Sequence, residues 1–63
     1  MIKVGQLRRW LNDSGSPGEL FLVIGFTEMT SSGERFVDYI MDGELCWDDE
    51  GWAEMHSEVI SEG

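Results

Sequence analysis

Asp42-Gly43 stands between "FVDYIM" and "ELCW", two runs in which large apolar residues recur at every second position. A two-residue Asp-Gly connection between such runs wants positive φ at both positions and closes an antiparallel hairpin. The middle of the chain is therefore committed to strands. Val37, Tyr39 and Met41 fall on one face, and Phe36, Asp38 and Ile40 on the other. Leu45 and Trp47 share one side of the returning strand.

The same logic extends towards the N-terminus. "LFLVIGF" reads as a buried strand that can bend at Gly25, and "MTSSGER" connects it to the hairpin. "NDSGSPGE", residues 12 to 19, is a loop by its chemistry: two residues that form Asx-turns, two glycines and a proline. Two segments are open to either reading. In residues 2 to 11, Leu7, Trp10 and Leu11 have helical spacing. Strict alternation and the β-forming Ile2 and Val4 favour a strand with an extended beginning. At the other end, Trp52, Met55, Val59 and Ile60 suit a helix from about Gly51, whereas "WAEM" as a turn followed by "SEVIS" as a strand fits equally well.

Size narrows the choice. The 63 residues can hold only one small domain, 1–63, and domains of this size bury too little surface to be robust without a staple. A single cysteine, Cys46, excludes an internal disulfide. One cysteine and one histidine, His56, cannot complete a four-ligand zinc site. A barrel that curls over its own core, or self-association into a homo-oligomer, remains. The expected fold is mostly β: an SH3-like small barrel of about five short antiparallel strands with a helical turn near residues 51 to 57. The alternative is α+β, a three-stranded meander packed by one C-terminal helix.

Charge limits the partners. Thirteen acids against four bases give a net charge of -9, which disfavours contact with nucleic-acid backbones. After Arg35 there are only acids, so a basic partner surface is expected. The longest apolar run, Leu20 to Ile24, is too short to span a membrane, and no leader pattern opens the chain. These features predict a cytoplasmic setting and no membrane partner.

"CWDDEGW" concentrates the candidate chemistry. As a calcium loop it fails, because with Gly51 at the sixth position Cys46 and Ser57 occupy positions that require carboxylates. Acids around Cys46 oppose formation of a thiolate, so a Cys46–His56 pair is a poor nucleophile, and Cys46 reads as a structural thiol on the fourth strand. No phosphate loop or acid–base pair stands out. The sequence predicts no enzyme, no cofactor and no metal. Two binding readings remain. In one, Trp52, Trp47, Tyr39 and Phe36 supply aromatic anchors, rimmed by Asp48, Asp49, Glu50 and Glu54, for a basic and partly apolar protein. In the other, the acids from Asp38 to Glu62 imitate the phosphates of DNA and inhibit a nucleic-acid-binding protein.

The opening "IKVGQLRRW", the turn "IMDG" and the close "SEVIS" together resemble a group of very short phage-encoded proteins expected to form SH3-like or KOW-like small barrels. The likeness spans most of the chain. Two features depart from it: the opening proline of that group is absent, and "WDDEGW" is more acidic. The resemblance implies a five-stranded barrel and a viral origin, in a virion or in the host cytoplasm. It implies no catalytic residue. The expected role is a phage protein–protein interaction module, either an accessory or structural component of a viral assembly or a binder of a host protein.

Overall fold

A computed structural model describes residues 1–63. Its elements are β1 (Leu7–Trp10), β2 (Leu20–Glu28), β3 (Arg35–Met41), β4 (Glu44–Asp49), α1 (Glu50–Met55) and β5 (Ser57–Ser61). The strands form one antiparallel sheet in the order β4-β3-β2-β1-β5. This is the SH3-like small barrel, with a short helix between its fourth and fifth strands. The meander with a C-terminal helix is excluded, because β1 and β5 are strands that pair with each other.

Local chemistry accounts for the bends. Asp42 and Gly43 adopt φ of 52° and 78°, the left-handed pair that a tight hairpin needs, and Met41 faces Glu44 across the turn. In β2, Val23 opposes Tyr39 but Gly25 already opposes Asp38, so Ile24 is an extra residue. A bulge of this kind sharpens the twist and lets a nine-residue strand serve both halves of a curled sheet. A second shift, between Leu7 and Arg8, bends β1 against β5.

The curled sheet encloses Ile2, Trp10, Phe21, Val23, Val37, Tyr39 and Ala53, with Phe26, Met41 and Cys46 packed against them. Trp10 is the hub. Its ring stacks on Phe21 at 4.3 Å and meets Tyr39 edge-on at 5.7 Å, and Trp52 of α1 lies 5.6 Å away. Such aromatic contacts add to the burial of apolar area.

One expectation needs correction. Ile2 and Val4 do not extend the first strand. The chain turns at Gly5, where φ is 94°, and is held to β2 by bonds from Gly5 N–H to the Val23 carbonyl and from Val23 N–H to the Gln6 carbonyl. Ile2 enters the core from this turn, and Val4 is exposed. Of the two readings of the C-terminal segment, the structure adopts a short helical turn followed by "SEVIS" as a strand, and Trp52, Met55, Val59 and Ile60 do not share one helix. The helix ends at Met55, which is 73% exposed, and Val59 and Ile60 lie in β5, as their β-branched side chains favour.

Arg8 is also turned inwards. Its guanidinium donates to Ser57 Oγ (2.8 Å), the Ser57 carbonyl (3.2 Å) and Gln6 Oε1 (2.9 Å), while Gln6 Nε2 donates to Glu62 at 2.8 Å. Burial pushes the Arg8 pKa down, and the nearby carboxylates of Glu54 and Glu62 oppose that shift. This base therefore ties the N-terminal turn, β1 and β5 together and faces no external partner.

A domain of this size has a net stability on the order of 3–9 kcal/mol, and truncating a buried tryptophan costs about 3–5 kcal/mol. Trp10→Ala should therefore remove a third or more of that stability, shifting the denaturant midpoint far down or abolishing the cooperative transition. Leu45→Ala, at an exposed position, should shift the midpoint little. Equal effects of the two substitutions would contradict this division between core and surface.

Candidate functional site

The three acids of "WDDE" have separate structural tasks. Asp48 Oδ2 accepts the Tyr39 hydroxyl at 2.6 Å. Asp49 is the N-cap of α1, and its Oδ2 accepts the Trp52 N–H at 3.0 Å, an arrangement worth about 1 kcal/mol. Glu50 lies 3.7 Å from Arg35 Nε, and the Arg35 guanidinium rests over the Phe26 ring at 4.0 Å. Other acids are similarly engaged: Glu54 with the N-terminal amine, Glu58 with Arg9, Glu62 with Gln6, and Asp13 with His56 Nδ1 at 2.9 Å. The contact with His56 holds the exposed Asp13 carboxyl below its usual range. The acidic stretch that dominates the sequence is thus largely architectural.

The aromatic candidates divide differently from their expected roles. Tyr39 is only 4% exposed and belongs to the core, so it leaves the partner-binding set. Its phenol is fixed by the hairpin that also places Asp48. Trp52 is 38% exposed, since one part of its ring packs on Trp10 and another on His56 at 4.5 Å. Trp47 is 67% exposed and is the most open of the three tryptophans. Phe36 is half-buried on the same outer face.

The hairpin register explains that face. Because Ile40 opposes Leu45 and Asp38 opposes Trp47, both β4 residues project away from the core, where Val37 and Tyr39 point. Leu7 opposes Leu22 and Leu22 opposes Ile40, so an apolar row Leu7–Leu22–Ile40–Leu45 crosses four strands. Leu22, Ile24 and Leu45 are 42%, 43% and 62% exposed. Beside this row, Thr27, Met29, Phe36, Asp38 and Trp47 line a cleft of about 430 Å³. Within this lining the Thr27 hydroxyl donates to Asp38 Oδ2 at 2.9 Å.

A second, wider depression of about 560 Å³ lies between the Leu11–Glu19 connection and β5. Most of its lining residues are polar or charged, and its charged groups are paired, Arg9 with Glu58 at 2.8 Å and Asp13 with His56 at 2.9 Å. Cys46 is half-buried against the core, with Sγ 3.7 Å from the Glu44 carbonyl. No group of three or more His, Cys, Asp or Glu side chains converges to hold a metal ion. No helix is long and apolar enough to cross a membrane.

Reasoning from sequence did not single out Leu22, Met29, Ile40 or Leu45 as site residues, and named Asp38 only among the acids that could imitate phosphates. The signal for most of them was present: the Asp42-Gly43 register alone places Ile40 beside Leu45 and Asp38 beside Trp47. No protein-family model, curated protein or solved structure matches the chain.

Burial, and then the bond to Asp48, push the Tyr39 phenol well above its ordinary pKa of 10.0. A group whose pKa is raised by folding binds its proton more tightly in the fold. Its stabilising effect is complete below the ordinary value and is lost as pH rises through and beyond it. Denaturant stability should therefore fall more steeply above about pH 10 in the native chain than in Tyr39→Phe. Parallel pH profiles would show that the phenol is not held as described.

Proposed function

We propose that this chain is a non-enzymatic protein–protein interaction module whose binding surface is the outer face of β2, β3 and β4. The supporting observation is the exposed apolar row and the adjoining Trp47 cleft, which the fold leaves uncovered. Clustered apolar exposure on a monomer marks an interaction surface, and tryptophans at the centre of such surfaces carry a large share of binding energy. Of the four aromatic residues the sequence offered as anchors, Trp47 takes that role in this reading.

The rim defines the partner. Glu28, Glu34, Asp42 and Glu44 have no side-chain partner within the chain and flank the strands that bear the face. Two copies joined through this face would set acids against acids. A partner carrying basic residues around an apolar centre fits instead. Mimicry of DNA is the weaker reading. Of the nine acids from Asp38 to Glu62, all but Asp42 and Glu44 are engaged by internal contacts, so they do not form a free row. The setting, a phage assembly or the cytoplasm of an infected host, rests on the resemblance of "IKVGQLRRW", "IMDG" and "SEVIS" alone.

Affinity capture from cells that produce the protein, using the native chain and a Leu45→Asp/Trp47→Ala variant as baits, tests the assignment. A specific protein should be recovered by the native bait and depleted about tenfold or more by the double variant, the scale expected when an anchor worth ~2 kcal/mol is removed. Recovery of nucleic acid alone, or equal recovery by both baits, would overturn it.

A further inference from the structure

We infer that the Trp47 cleft is a receptor for one arginine side chain of the partner, with Asp38 as its counter-charge. This rests on the assignment of the outer face as the binding surface and names the chemistry at its centre.

Asp38 is unusual among the acids of this region. It sits in mid-strand on β3, half-buried, on a face otherwise rich in apolar side chains. Its Oδ2 is held by the Thr27 hydroxyl at 2.9 Å, and no donor of the chain reaches Oδ1. None of the four bases pairs with it: Arg8 is buried against Ser57, Arg9 pairs with Glu58, Arg35 pairs with Glu50, and Lys3 makes no ion pair. Oδ1 is therefore open to a donor from outside, and a charged donor forms a stronger bond to a carboxylate than a neutral one does.

The walls suit a guanidinium better than a compact ammonium. Trp47 stands opposite Asp38 across the β3–β4 ladder, and Phe36 and Met29 complete the apolar lining. Across the other ladder Asp38 faces Gly25, which has no side chain. A Cβ there would sit 3.7 Å from Asp38 Oδ2, so the glycine leaves the carboxylate uncovered from that side. A planar, weakly hydrated cation can lie on the indole, run its methylene stem along Met29 and Phe36, and donate two parallel bonds to the carboxylate. The chain already contains this combination elsewhere, where Arg35 lies over the Phe26 ring and beside Glu50. In the outer cleft the aromatic and the acid are present and the cation is to be supplied by the partner.

The test is a titration of the isotopically labelled full chain with N-acetyl-arginine amide, followed by two-dimensional amide and indole NMR. The neutral citrulline analogue serves as control. Arginine amide should give saturable shifts centred on the Trp47 indole and on residues 25, 36 and 38, with a dissociation constant on the order of millimolar, as expected for a single side chain. Asp38→Asn, which keeps the shape and can still accept from Thr27, should weaken binding about fivefold or more, as should Trp47→Ala. Equal shifts with citrulline, shifts scattered over the acidic surface, or unaltered binding by Asp38→Asn would overturn the inference. The assignment of the face is judged separately. If the native bait still captures a protein through Leu45 and Trp47 while arginine amide fails to bind, the arginine receptor is wrong and the interaction module stands.

Discussion

The stack of Trp10 on Phe21 is the contact on which the rest of the molecule depends. With one cysteine the 63 residues have no internal disulfide, so the small core carries most of the ordering of the chain. Trp10 closes that core from β1, Phe21 and Val23 from β2, and Val37 and Tyr39 from β3. Trp10 also receives Trp52, which seats α1 between the fourth and fifth strands. Placing the large inward side chains at this point determines what is left outside. Leu22, Ile24, Leu45 and Trp47 alternate with core residues and cannot be buried by the same sheet.

The acids complete this arrangement. Asp48 anchors Tyr39, Asp49 starts the helix that carries Trp52, and Glu50 pairs with Arg35 at the start of β3. Each joins segments that the aromatic core brings close. Acidity that looks like a binding signal in the linear chain is thus mainly a means of positioning α1 and the β3–β4 hairpin. Asp38 differs from these acids in that its one bond, from the Thr27 hydroxyl, lies on the outer face and leaves Oδ1 without a donor.

Much of the fold was legible in the residues. Asp42-Gly43 determined one hairpin and its register, Gly25 marked the bulge, and the turn chemistry of residues 12 to 19 bounded β2. What could not be read were properties set by distant partners. Nothing in the sequence marks Arg8 for burial; its contacts with Gln6 and with Ser57, 49 residues along the chain, are supplied only by the fold. The strand "LFLVI" is apolar on both faces, so alternation alone does not say whether Phe21 and Val23 or Leu20, Leu22 and Ile24 face the core. Trp47 and Trp52 flank the same acids, and only packing against Trp10 and His56 separates the half-covered ring from the open one.

The central claim is that one face of the sheet holds the molecule together and the other is left free for a partner. Hydrogen exchange of the three indole N–H groups measures this most directly, because each tryptophan occupies a different place in that division. The indole of Trp10, buried and without a bonding partner in the chain, should be strongly protected and should exchange only through unfolding. The indole of Trp47 should exchange at close to the rate of a free side chain, independently of protein concentration, with Trp52 between the two. Protection of Trp47 comparable to that of Trp10 in the isolated chain would contradict the account, since the outer face would then already be covered.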